Sequence, residues 1–288
     1  MFVGGWAGWR LDGGGCCPAL RAARAEIVAV IPWGMVAALQ PRTDCRMASA
    51  RRRLLVCLLT LPYGTTHTVI GGVQTRRIQP APGLPWVLEA DWEATAAKGD
   101  GGIKSHDPLS SCYWPAAAAL ARVVNTLSGN GSYLELGCGT GLLSLVAAAG
   151  GARCVMATDI SSTSLEYTAA AAAAQGLTAV ATSIFDATNL ATPMPPADVL
   201  LLSDVFVTDA LATAFAARVA EALNGRFQLV LVVDPGRSTR ETFLAALSAH
   251  GVRHGGFVDE DQLVANARSG QCVCLLGTEE GAPLSYCI

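Results

Sequence analysis

From about residue 108 onward, apolar positions fall into short runs that alternate with longer amphipathic stretches. Residues 114–127 place alanine, leucine and valine at helical spacing and predict a helix. Residues 132–136 form a short apolar run, followed by a glycine-rich loop and a second helical stretch over 142–149. The pattern then repeats: a strand over 153–158, a helix to 174 capped by Ser161 or Ser162 and stopped at Gly176, and a strand over 178–184. A nearly continuous apolar run at 198–203 suits a strand covered on both faces. A helix over 209–223, a strand over 227–233 and a helix over 239–250 follow. Runs at 252–258 and 271–277 supply the last two strands. The polar connection between them predicts a hairpin, with one strand antiparallel to the rest. Strands alternating with helices imply an α/β fold: a Rossmann-like, doubly wound, seven-stranded sheet, mostly parallel.

The first 88 residues differ. They are rich in Arg, Gly and Pro, carry a net charge of +7 and show no sustained period, whereas residues 89–288 carry −10. This divides the chain into a low-order extension over 1–88 and a catalytic-type domain over 89–288, with its core at about 105–277. Near Met47 a basic Arg51-Arg52-Arg53 patch precedes an apolar run of about ten residues, far short of the roughly 20 that span a bilayer. Such a segment has the character of an organelle-targeting sequence. The acidic body has no basic stripe, so nucleic acid is not an expected partner. The close cysteine pairs, Cys16-Cys17 and Cys272-x-Cys274, have no companion pair at zinc-ligand spacing, and no metal is expected.

In open α/β sheets, ligands bind beyond the carboxyl ends of the strands. The candidate residues stand there. Gly137, Gly139 and Gly141 follow the first strand within Glu135-Leu-Gly-Cys-Gly-Thr-Gly141. Asp159 ends the second strand and can accept two hydrogen bonds from a ribose diol. Ile160 directly follows it. Asp186 follows the third strand, within reach of an adenine amino group. Ser203 and Asp204 end the fourth strand and Asp234 the fifth. A dinucleotide site requires G-x-G-x-x-G, but here Leu142 occupies the third glycine's place. Glu135 before the loop and Asp159 after it favour a ligand with an ammonium group and free hydroxyls over a diphosphate. S-adenosylmethionine is such a ligand.

The segment from Glu135 to Leu142 resembles motif I of class I methyltransferases. Tyr113-Trp-Pro-Ala-Ala-Ala-Ala-Leu120 is similar to the Trp-Pro-Ala-Ala element of the seven-strand protein lysine methyltransferases. Ser203-Asp-Val-Phe206 and Asp234-Pro-Gly-Arg237 resemble segments of the mitochondrial subfamily acting on the electron-transfer-flavoprotein β-subunit. The resemblance covers about residues 105–277. It implies S-adenosyl-L-methionine as cofactor, held by Trp114, Glu135, Gly137, Gly139, Gly141, Asp159, Ile160, Asp186 and Ser203. It further implies a protein lysine as acceptor, Asp204 as the catalytic residue facing it, and a mitochondrial or plastid location.

One departure stands out. The family often carries Asp-x-x-Tyr after strand four, whereas Val207 lies three residues after Asp204, with Phe206 one position early. A small-molecule amine as acceptor, or a cofactor-binding subunit without activity, are the alternatives this leaves open. The Asn-Pro-Pro-aromatic motif of adenine or glutamine methylation is absent. Asp234 and Arg237 are close enough in sequence to form a local salt bridge across the strand-five turn. His106 reads as an exposed loop residue.

Overall fold

The computed structural model describes residues 68–97 and 109–278. The basic patch, the apolar run after it and His106 lie outside the described residues. Strands β1 (Thr68–Ile70), β2 (Val73–Ile78) and β3 (Val87–Ala90) form a small antiparallel sheet in the order β1-β2-β3. Gly71 and Gly72, both at positive φ, make the two-residue turn between β1 and β2. Sequence reading left this stretch in the low-order extension. The three strands lie over residues 68–90, across the boundary placed at residue 88.

A short helix, α1 (Trp92–Ala97), follows, and a 3-10 turn lies at Leu109–Ser111. Helix α2 (Ala116–Leu127) begins two residues later than the periodicity implies. Pro115, which has no N–H to leave unpaired, occupies its N-cap. The body then runs β4 (Ser132–Leu136), α3 (Leu142–Ala149), β5 (Cys154–Asp159), α4 (Ser162–Ala174), β6 (Val180–Ile184), β7 (Val199–Ser203), α5 (Asp209–Asn224), β8 (Leu229–Asp234), α6 (Arg240–Ala249), β9 (Phe257–Val258), α7 (Glu260–Arg268) and β10 (Val273–Gly277). Side-chain caps start four of the described helices: Asp91 accepts from the Ala94 amide, Ser161 from that of Ser164, Thr208 from that of Leu211 and Asp259 from that of Gln262.

The seven strands of this second sheet lie in the order β6-β5-β4-β7-β8-β10-β9. The doubly wound seven-stranded sheet is therefore present. Its expected antiparallel strand is not: β10 pairs parallel with β8 and with β9. The polar connection is not a hairpin loop but helix α7, which carries the chain back along the sheet so that β10 runs in the common direction. Its signals were local: the Asp259 cap, Glu260 and Asp261 in the first turn and Arg268 in the last. The strand expected over 252–258 shrinks to Phe257–Val258.

The sheet is covered on both faces. On one, Leu120, Leu143, Tyr167 and Leu263 belong to a buried cluster contributed by α2, α3, α4 and α7. On the other, Phe206, Phe215 and Phe243 anchor the cluster beneath α5 and α6, with Phe206 stacked on Phe243 at 4.0 Å between ring centroids. The order of formation reverses beside β4: the chain proceeds outward through β5 and β6, then returns to place β7 on β4's other side. The loops after β4 and β7 diverge there and leave a crevice.

The small sheet is tied to this body. The Gln175 side chain at the end of α4 bonds both the amide and the carbonyl of Trp86, at 3.1 and 2.9 Å. Buried Glu89 receives the Arg76 guanidinium on Oε1, and its Oε2 accepts from the Tyr113 amide at 2.9 Å.

Candidate active site

The crevice at the carboxyl ends of β4 and β7 holds a cavity of about 210 Å3. Glu135, Gly137, Cys138, Gly139, Thr140 and Leu142 line it from the first loop and Asp159 from β5. Ser203, Asp204, Val205 and Val207 come from the end of β7, Leu211 and Phe215 from α5, and Leu109, Ser110, Trp114 and Ala117 from the segment leading into α2.

The loop after β4 turns sharply. At Gly141, with φ of 76°, an added Cβ would stand 2.4 Å from the Thr168 side chain of α4. At Gly139, the nearest atom to such a Cβ is 3.8 Å away. The first glycine thus serves packing between loop and helix, and the second keeps open backbone facing the cavity. Asp159 fixes the loop from the neighbouring strand: Oδ2 accepts from the Gly139 amide at 2.9 Å and Oδ1 from the Ser161 amide at 2.8 Å.

Glu135 is almost wholly buried, and its Oε2 accepts from the amide and hydroxyl of Ser144 at 2.9 and 2.5 Å. Burial outweighs these bonds and raises its pKa to about 7. The Cys138 thiol beside it is pushed well above its ordinary value by the same cause.

On the opposite side of the cavity, Asp204 has φ of 55°, the only non-glycine residue with positive φ among the described residues. Its side chain is 3% exposed, and Oδ1 receives the Arg237 Nε at 2.5 Å. Burial raises the pKa of Asp204, while Arg237 opposes the rise. Arg237 also lies over the Trp114 ring, 5.5 Å from its centroid, and Trp114 Nε1 donates to the Leu109 carbonyl. The expected Asp234–Arg237 bridge is not formed. Asp234 pairs with Arg240 at 2.7 Å and accepts the Gly236 and Arg237 amides, which aims the Arg237 side chain at Asp204.

The structure thus brings Trp114, Glu135, Gly137, Gly139, Asp159, Ser203 and Asp204 to one cavity. Gly141 stands behind its wall. Ile160 and Asp186 are not on the wall either: Ile160 is an exposed apolar residue, 68% accessible, and Asp186 accepts from the amide and hydroxyl of Thr188 in a surface turn. Phe206, the nearest aromatic to the expected tyrosine position, is buried in the core. Phe215 and Trp114 provide the aromatic walls instead. Sequence reasoning missed Phe215, Leu211 and the Arg237–Asp204 pair, all joined to the site only through long-range packing.

Residues 134–226 match the model of a family described as a methyltransferase domain. That match takes in the glycine loop and strands β5, β6 and β7, so this part of the chain is similar to a methyltransferase domain.

The electron transfer flavoprotein beta subunit lysine methyltransferase of Danio rerio is 31% identical over 163 residues, 51% of this chain and 58% of that protein. The chain therefore spans little more than half the length of this curated relative. Among solved structures, a putative RNA methyltransferase from Pyrococcus horikoshii is similar at a TM-score of 0.41 and 18% identity, over 55% of this chain and 78% of the other. The 4+2 cyclase SpnF is similar at a TM-score of 0.36 and 22% identity, over 51% and 60%.

S-adenosylmethionine is the cofactor of such a methyltransferase domain, and the residues present fit it. The buried Glu135 carboxyl suits an ammonium group, the Gly139 backbone leaves room for close approach, and the Ser203 hydroxyl, buried at the cavity, has no hydrogen-bond partner among the described residues. No helix among the described residues is long and apolar enough to cross a membrane.

Proposed function

We propose that this methyltransferase domain transfers a methyl group to a lysine side chain of a protein. The observation that carries the proposal is the meeting, across one cavity, of a cofactor side (Glu135, Gly139, Asp159) and a buried acidic side (Asp204) walled by Val205, Val207 and Phe215. The printed name of the Danio rerio relative, a lysine methyltransferase, supports the acceptor class.

The cofactor supplies a methyl group on a sulfonium, activated for in-line displacement. The chain's own residues align and desolvate. Asp159, on the cavity wall, would take hydroxyl donors, and Glu135 would take the ammonium. Trp114 and Ser203 complete the cofactor wall. Val205, Val207 and Phe215 strip water from the entering amine. That lowers the amine's pKa from its reference value of about 10.4. Asp204 would accept a hydrogen bond from the amine and so orient the nitrogen lone pair toward the methyl group that the cofactor would supply, the amine's extra proton leaving to solvent. Ile160 and Asp186, beside the cavity, are proposed to meet the adenine.

The test is incubation with methyl-labelled S-adenosylmethionine and an organelle extract, with the electron transfer flavoprotein beta subunit as a defined acceptor. Mass spectrometry then reads the labelled species. A labelled lysine is expected. Label confined to a small amine, or cofactor binding without transfer, would refute the proposal. A mitochondrial or plastid location is proposed from the basic, acid-poor segment before residue 89. Residues 1–88 fused to a fluorescent protein would direct it to the organelle if this is right.

A further inference from the structure

We propose that Arg237 is a positioning residue for the acceptor side: it pins Oδ1 of Asp204 from behind the cavity and leaves Oδ2 to the incoming amine. This deepens, and rests on, the lysine reading above.

Four observations converge. Asp204 lines the cavity, but Arg237 does not. The Arg237 Nε takes Oδ1 at 2.5 Å, while Oδ2 receives no hydrogen bond from the described residues. Asp204 sits in the left-handed region, a conformation that costs energy for a non-glycine residue and persists only where surroundings hold it. Its amide donates to the Val233 carbonyl at 3.0 Å, so backbone and side chain are both tied to the β8 end of the sheet. Finally, the turn that carries Arg237 is itself braced. Asp234 accepts the Gly236 and Arg237 amides and pairs with Arg240, and the Arg237 guanidinium lies over the Trp114 ring.

The charged groups facing Asp204 are Arg237, which favours its ionised form, and Asp234 behind it, which disfavours it. Burial also acts against the ionised form. Without Arg237, both remaining influences push Asp204 toward protonation. A protonated carboxyl cannot accept the amine's hydrogen bond in the same way. Arg237 therefore holds Asp204 toward its ionised, hydrogen-bond-accepting form, with the guanidinium over the Trp114 ring and outside the cavity lining.

The test uses the full chain with 13C-labelled aspartate carboxyls, the Asp204 signal being identified by its loss in Asp204→Asn. In Arg237→Gln the Asp204 carboxyl is expected to titrate at least one pH unit higher than in the wild type. The acid limb of kcat/KM for the electron transfer flavoprotein beta subunit should move up by the same amount. At pH 7 turnover should fall by tenfold or more while the KM for S-adenosylmethionine stays within twofold. Arg237→Lys should restore part of both. An unchanged titration with turnover reduced equally at every pH would make Arg237 merely structural. A shifted titration with an unmoved acid limb would place Asp204 away from the acceptor. Either result overturns the proposal. If the wild type methylates no lysine, the lysine reading falls, and the titration alone still decides whether Arg237 holds Asp204.

Discussion

Two residues of the glycine loop separate by role. Gly141→Ala forces a Cβ into Thr168 at a positive φ, and overpacking together with left-handed strain is expected to cost about 2–4 kcal/mol. Gly139→Ala meets nothing close and should cost only about 1 kcal/mol, yet weaken cofactor binding. Chemical denaturation beside calorimetric titration distinguishes the two. Glu135 makes a second prediction. Its folded pKa, about 7, lies above its unfolded value, so its contribution to stability is present at acid pH and lost as pH rises through about 7. Ligand-free Glu135→Gln should match the wild type below about pH 4.5 and exceed it above pH 7, by up to about 3 kcal/mol. Cofactor affinity should run the other way. It should rise in the wild type as pH climbs through 7 and show no such rise in the variant. The loop and its flanking acids were legible because their chemistry lies in a contiguous stretch. Arg237 was not. Its nearest acid in sequence, Asp234, takes Arg240 instead, and its true partner is 33 residues away.

Among the elements, α5 does more than cover the sheet. Arg218, with no exposed side-chain surface, donates to the carbonyls of Ala187, Asn189 and Thr192 and pairs with Glu221, whose other oxygen accepts the Met194 amide. The loop that follows β6 and carries Asp186 is thereby clamped to a helix. Arg218→Ala would strip three carbonyls and a carboxylate of their partner, with an expected loss of about 3–5 kcal/mol in urea denaturation. Nothing in the periodicity of 209–223 marks one arginine among the alanines as buried, so this clamp could not be read in advance. Helix α7 could have been. Its cap and end charges are ordinary start and stop signals, overlooked because Leu263 is its only fully buried residue. Asp259→Ala should cost about 1 kcal/mol. The β1–β2 hairpin likewise advertised itself as Gly71-Gly72 between apolar positions, but the Arg-rich composition around it dominated the reading.

At the level of the whole molecule, the small antiparallel sheet reaches the site. Glu89 holds the Tyr113 amide, one residue before Trp114 on the cavity wall. Glu89→Ala should therefore raise the KM for cofactor several-fold while leaving the seven-stranded sheet folded, as judged by unchanged far-ultraviolet dichroism. The alternation of strand and helix announced the large sheet because each element buries its own face locally. Strand direction at the far end depended instead on whether the largely polar connection over residues 259–272 made a turn or a helix.

The position of β10 has a consequence for how the protein is made. The last strand of the described chain does not close an edge; it inserts between β8 and β9. Until residues 273–277 have emerged from the ribosome, β8 presents an unpaired apolar edge and β9 has nothing to pair with. The nascent chain must therefore wait for residues 273–277. Shortened products ending before Val273 are expected to be ready clients of chaperones and proteases.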